Sequence, residues 1–210
     1  MTFESLITKV SNLPLFTISF LAAGGNVAQI RLQINRWVSD GKIIKLHKGL
    51  YTLSDTYRKV PCEPLCIANT LKQPSYISLQ FALAWHGIIP EYVPQVTSIT
   101  TGRPKVIVTP MGRFEFRHVS KRYFWGYHEV SLKFGQTAFV ASPEKALIDL
   151  IYLTPGGDKF TFINELRLQH FEKINQTVLT EYVDKLKSPK LGRALKNISK
   201  VISEGEGVEI

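Results

Sequence analysis

"WVSDGKIIKLHKGLYTLS", residues 37–54, changes its period halfway along. Its opening reads as the last turn of a helix and stops at Gly41. The remainder alternates apolar with basic side chains as far as a second glycine, Gly49. The alternation predicts two short strands, "KIIKLH" and "LYTLS", with His47-Lys48-Gly49 at or near their turn. Upstream, "VAQIRLQINRWVSD" reads as a helix capped by Asn26 and stopped at Gly41. At about 100° per residue, its Val27, Ile30, Ile34, Trp37 and Val38 cluster on one side. Thr17 is placed to cap a shorter helix ending at Gly24-Gly25. Phe3, Leu6, Ile7 and Val10 mark a first helix over residues 3–12, with Pro14 just beyond. Three helices and a basic hairpin, in that order, predict a winged helix-turn-helix.

That reading supplies candidate contacts. The polar side of the third helix carries Gln29, Arg36 and Ser39, flanked by Gln33 and Asp40, and Leu32 points outward as well. Gln, Asn and Arg form paired hydrogen bonds with base edges, so Asn26, Gln29, Arg31, Gln33 and Arg36 are the candidate DNA-binding residues of the helix. Lys45, His47 and Lys48 of the hairpin bring charge to phosphates without reading sequence. The competing account is a winged helix used for protein contacts, its polar face merely solvated. The agreement of a basic wing with a polar helix face favours DNA.

The whole chain is compatible with this. Its 210 residues suit one large domain or two modest ones, and 44% hydrophobic residues can build a core. The 26 Lys and Arg outnumber the 17 Asp and Glu, and a formal charge of +9 favours a polyanionic partner. Cys62 and Cys66 form no disulfide framework and lack a second ligand pair, so no metal site is expected and the compartment reads as a reducing cytoplasm. "LPLFTISFLAAGG" (13–25) resembles a signal segment, but Glu4 precedes it, Thr17 and Ser19 interrupt it, and it is too short to span a bilayer. No membrane partner is expected.

Residues 55–66, charged and bearing two prolines, read as a linker running into a helix. They divide the chain into a DNA-binding part, residues 1–58, and a second part, residues 64–210. In the latter, "SLQFALAWHG" reads as a helix capped near Ser75 or Ser78 and closed by Gly87. "QVTSITTGR", "KVIVTP", "FEFRHVS" and the stretch through "FVAS" read as strands. "SPEKALIDLIYL" follows as a helix with Ser142 as cap and Pro143 first, and further helical stretches lie near residues 160–170, 177–187 and 189–203. The expected fold class is α+β: a winged helix-turn-helix, then a mixed sheet with flanking helices.

Motifs for catalysis are not found. The five histidines show no metal-ligand spacing, there is no nucleophile elbow or phosphate-binding loop, and no glutamate has Lys two positions on. Glu144, Lys145 and Asp149 read as a helix start with outward charge. Neither catalytic residues nor a cofactor is expected. A mixed cluster, Arg103, Lys105, Arg113, Arg117, Lys121 and Arg122 with Phe114, Phe116, Tyr123, Phe124 and Trp125 interleaved, leaves two readings open. It suits a nucleic-acid or acidic-protein surface, or simply a strand with aromatics inward and charges outward. The basic residues from Lys185 to Lys200 read as a solvated helix face.

In sequence order, "RWVSDGKIIKLHKGLYTLS", "PSYISLQFALAWHGIIPE", "TTGRPKVI" and "FVASPEKALIDLIYL" resemble the AbiEi-type antitoxins of bacterial abortive-infection (type IV) toxin–antitoxin systems. The resemblance covers roughly residues 15–155. It implies a cytoplasmic, non-enzymatic protein with two jobs. The winged helix represses its own operon by binding inverted repeats in double-stranded promoter DNA. The second domain neutralises a nucleotidyltransferase-like toxin without needing a stable complex. On this reading Arg113, Arg117, Lys145 and Asp149 form the antitoxin surface. A stand-alone transcription factor with a ligand-sensing second domain and an enzyme that modifies the toxin are the alternatives.

Overall fold

Each of the first three helices starts at a side chain that accepts its otherwise unpaired amides. Thr2 accepts from Ser5 at the head of α1 (Phe3–Val10), and Thr17 from Phe20 at the head of α2 (Ile18–Leu21). Asn26 accepts from both Ala28 and Gln29 at the head of α3 (Val27–Ser39). The structure, a computed structural model, describes residues 1–22 and 26–205, so the expected helix end at Gly24-Gly25 lies outside the described residues. After α3, Gly41 adopts a φ of +69°, a left-handed conformation that suits glycine, and turns the chain into β2 (Ile43–His47). β3 (Leu50–Leu53) returns antiparallel to it. The two-residue β1 (Phe16–Thr17) completes a small sheet of order β1-β3-β2.

This small sheet is covered on both faces, and all four residues of β3 are buried. On one face Ile43, Tyr51 and Leu53 pack with Leu6, Ile34 and Trp37 in an N-terminal apolar cluster. From the other face Leu46 and Leu50 enter the larger cluster built by the rest of the chain. A β-bulge makes this possible. Lys45 pairs with Tyr51 and His47 with Leu50, leaving Leu46 as the extra residue. Leu46 and His47 therefore both turn to the side of Leu50, where strict alternation would have separated them.

The expected linker is pinned down. The Cys62 thiol donates to the Pro14 carbonyl at 2.8 Å, the Gln136 amide donates to the Pro61 carbonyl at 2.9 Å, and the Glu63 N–H donates to Gln136 Oε1 at 3.1 Å. The chain then enters α4 (Pro64–Leu71), β4 (Ser75–Ile77) and α5 (Leu79–Trp85). Ser78 rather than Ser75 precedes α5; Ser75 belongs to a strand too short to show alternation. Strands β5 (Val96–Thr100), β6 (Lys105–Thr109), β7 (Gly112–His118), β8 (Tyr127–Ser131) and β9 (Thr137–Ala141) join β4 in a six-stranded mixed sheet of order β6-β7-β5-β4-β9-β8. β4 runs parallel to β9 and β5 to β7; the other pairs are antiparallel.

α6 (Pro143–Leu153) starts as expected, with Ser142 Oγ accepting from the Lys145 N–H. α7 (Phe160–Glu165), α8 (Gln176–Leu186) and α9 (Pro189–Gly205) follow. Strand register places Tyr76, Ile99 and Arg117 on one face of the large sheet, and α6 lies there through the Tyr76 hydroxyl, which donates to Asp149 at 2.9 Å. Lys105 and Phe116 are on the opposite face, where Lys105 meets the small sheet at His47. The architecture is mixed α and β, with a six-stranded mixed sheet and helices. Among the described residues no helix is long and apolar enough to cross a membrane.

Candidate nucleic-acid interface

α3 and the β2–β3 hairpin enclose a groove of about 630 Å³. Val27, Arg31 and Asn35 line it from the helix, four residues apart and hence on one stripe. Lys45, Lys48 and Gly49 line it from the hairpin, and Gly49, at φ +79°, makes the tight return that brings the two lysines round. Among the described residues three cations and no carboxylate line the groove. Among the described residues nothing forms an ion pair with Arg31, Lys45 or Lys48. A concave site with unneutralised positive charge raises the local concentration of anions.

The eight candidate DNA contacts do not all gather here. Arg31, Lys45 and Lys48 do. Asn26 has its side-chain oxygen engaged as the cap of α3. Gln29 and Arg36 are exposed, but at about 100° per residue they lie roughly 140–160° around the helix from Arg31. Gln33, expected beside the polar face, is half-buried, and its Oε1 finds no partner among the described residues. The polar stripe opposite the apolar face is thus not the stripe that faces the groove. The groove takes the flank of the apolar face, since the hairpin packs beside that face and not across from it. Asn35, absent from the sequence-based candidates, is the residue this geometry adds. Its signal was its i+4 spacing from Arg31 on that flank.

His47 also leaves the set that lines the groove. The bulge turns it toward the larger sheet, where its Nε2 lies 3.1 Å from Lys105 Nζ. Partial burial first, then the nearby ammonium groups of Lys105 and Lys45, holds its imidazole below the ordinary range, and the neutral ring accepts from Lys105. Lys105 thereby extends the hairpin's basic edge onto β6.

The expected second surface is not assembled. Glu144, Lys145 and Asp149, read as outward charge, are interior: Lys145 and Asp149 are 0% exposed and Glu144 5%. The reason is that α6 has no solvated face over most of its length; every residue from Glu144 to Ile151 is buried. Lys145 Nζ pairs with Asp149 Oδ1, while Tyr76 and Ser78 hydroxyls donate to Asp149 Oδ2 at 2.9 and 2.8 Å. Burial pushes the Asp149 carboxyl up and the Lys145 ammonium down, against their mutual attraction. Glu144 accepts from the Asn175 N–H at 2.8 Å, ahead of α8.

Arg113 and Arg117 lie on β7 with alternate side chains Phe114 and Phe116 each 1% exposed, so the inward-aromatic reading of this strand holds. Arg113 Nε donates to Gln95 at 2.7 Å. Arg117 donates to the Leu153 carbonyl at 3.2 Å, and Lys190 donates to the Tyr152 carbonyl at 3.1 Å, so both cations serve the carbonyl end of α6. Among the described residues no group of three His, Cys, Asp or Glu side chains is arranged to hold a metal ion. Comparison with protein-family models and with curated protein sequences finds no match for this chain.

Proposed function

We propose that the chain is a DNA-binding autorepressor and antitoxin of the AbiEi type, acting in the cytoplasm. On this reading α1–α3 with β1–β3 form a winged helix-turn-helix, α3 enters the major groove of promoter DNA, and the β2–β3 hairpin is its wing. The observation that carries the DNA half is the convergence of Arg31 and Asn35 from α3 with Lys45 and Lys48 from the hairpin on one groove, with no carboxylate among its described lining residues. Arg and Asn recognise base edges bidentately, and Lys neutralises phosphate. Lys105 continues the same basic edge beyond the first 58 residues. The antitoxin half, neutralisation of a nucleotidyltransferase-like toxin by residues 64–210, is supported by the sequence resemblance around the Ser142–Leu153 helix. It calls for no catalysis by this chain.

The test is binding of the full chain to its own upstream promoter DNA by fluorescence anisotropy at several salt concentrations. Arg31→Ala is expected to cost about 1–3 kcal/mol on the specific site and to relax sequence preference, with Arg36→Ala well below that. Lys48→Ala is expected to weaken specific and non-specific DNA alike and to flatten the salt slope by about one unit. Unchanged affinity in both Arg31→Ala and Lys48→Ala would falsify the groove as the DNA-binding site.

A further inference from the structure

Beside α4 the large sheet presents a group of aromatic rings that the DNA reading does not use. Tyr127 stacks on Tyr76 with centroids 4.5 Å apart and planes 16° from parallel. Phe124 and Phe139 meet Tyr127 edge-on at 5.3 and 5.8 Å. The stack is held from behind, because the Tyr76 hydroxyl is bound to the buried Asp149. Phe124, Tyr127 and Phe139 wall a hollow of about 530 Å³, closed on its other side by Asn69, Gln73 and Pro74. Among the described residues no charged side chain lines it. Phe139 stays 44% exposed at its mouth.

A second hollow, about 450 Å³, shares Asn69, Gln73 and Phe139 with the first. Its further lining sets the apolar Leu13, Pro14, Phe134 and Ala138 beside the polar Asn12, Thr70, Gln136 and Thr137. Two of the amides are already committed. Asn69 accepts from the Phe139 N–H at 2.6 Å and donates to the Ser75 carbonyl at 3.3 Å, and Gln136 is tied to Pro61 and Glu63. They shape the walls. The exposed Gln73, Asn12 and Thr137 bring the polar groups that can turn to a ligand.

We propose that the two hollows form one binding site for an uncharged purine nucleoside. The base lies in the aromatic chamber and pairs its edge with the Gln73 amide, and the hydroxylated sugar extends toward Asn12 and Thr137. Planar walls select a planar ring, a pre-formed stack loses little freedom on binding, and each chamber falls in the size range of small-molecule sites. Among the described residues neither lining holds a cation, which suits an uncharged ligand better than a phosphate. A purine covers more of the three rings than a pyrimidine does.

The experiment titrates the full chain with adenosine and guanosine, and with adenosine monophosphate as the charged comparison, by calorimetry and protein-observed NMR. At least one nucleoside is expected to bind with Kd of about 0.1 mM, and the monophosphate no more tightly. Phe139→Ala is expected to weaken binding about tenfold. Gln73→Ala, at an exposed position, provides the same test should the first variant fail to fold. Absence of saturable binding by both nucleosides below about 1 mM overturns the site. So does equal affinity in the folded variants, and tighter binding of the monophosphate overturns the ligand class. None of these outcomes bears on DNA binding by the α3 groove.

Discussion

Lys145 has no exposure, and its Nζ lies 5.2 Å from the Trp125 ring centroid and 5.6 Å from that of Tyr76. Its methylene stem is crossed by the chain at Gly126, where an added Cβ would stand 2.9 Å from Lys145 Cγ and where φ is +76°. Spacing alone placed Lys145 and Asp149 on one face of a helix, which is correct; whether that face meets water depends on Tyr76 and Ser78, some seventy residues upstream. The outward reading failed there, because i,i+4 charge pairs look alike on a solvated and a buried face. A buried pair is costly to break and cheap to replace whole. Lys145→Met is therefore expected to destabilise the protein by about 3–5 kcal/mol, because it strands the Asp149 carboxylate. Lys145→Met combined with Asp149→Asn should recover much of the loss. Urea unfolding of the three proteins decides it, and equal losses in single and double variants would show that the charge pair is not the source.

Elements were more legible than faces. Asn26, Thr17 and Ser142 announce helix starts through local hydrogen bonds, and Gly41 and Gly49 announce turns, so their positions follow from neighbouring residues. The bulge at Leu46 and the three-residue β4 leave no comparable local trace, and the groove beside α3 depends on where the hairpin packs. One inter-element contact has a pH signature. His86, at the end of α5, lies with Nε2 2.8 Å from the Ala141 carbonyl of β9, and burial is the main cause that holds its pKa below the ordinary 6.5. The neutral ring donates to that carbonyl. A base whose folded pKa is depressed leaves the unfolded chain holding more protons between the two values, so stability rises with pH across that window and falls on acidification. His47 shifts in the same direction at its contact with Lys105. Stability is expected to drop as pH is lowered from 7 through the histidine range, and His86→Asn should flatten that part of the profile. Parallel profiles for the two proteins over that range would exclude His86 as a contributor.

At the scale of the molecule, charge and proline in residues 55–63 suggested two separable parts, and the structure shows a seam with its own contacts. Leu46 and Leu50 belong to the larger apolar cluster although they lie in the first 58 residues, and Cys62 anchors to Pro14 across the join. Cutting the chain there exposes apolar surface on both pieces, each buried leucine contributing about 1.5–3 kcal/mol. The intact chain is expected to unfold in one transition. A variant retaining Trp37 as its only tryptophan reports on the N-terminal cluster, and its fluorescence should coincide with the far-UV circular dichroism of the whole chain in urea. Separate midpoints would mean that the N-terminal part is autonomous, and Leu46→Ala with Leu50→Ala is expected to produce that separation.

The two-sided hairpin also sets how this protein can diverge. Point substitutions at Lys45, Lys48 or Arg31 alter charge at solvent-facing positions and leave both apolar clusters intact. A one-residue insertion or deletion in β2 ahead of the bulge is different: it exchanges the two faces, bringing Lys45 toward the larger cluster and taking Leu46 away from it. Descendants of this chain are thus free to drift in the cations that line the groove, while the spacing from Gly41 to the bulge at Leu46 is held by the two apolar clusters.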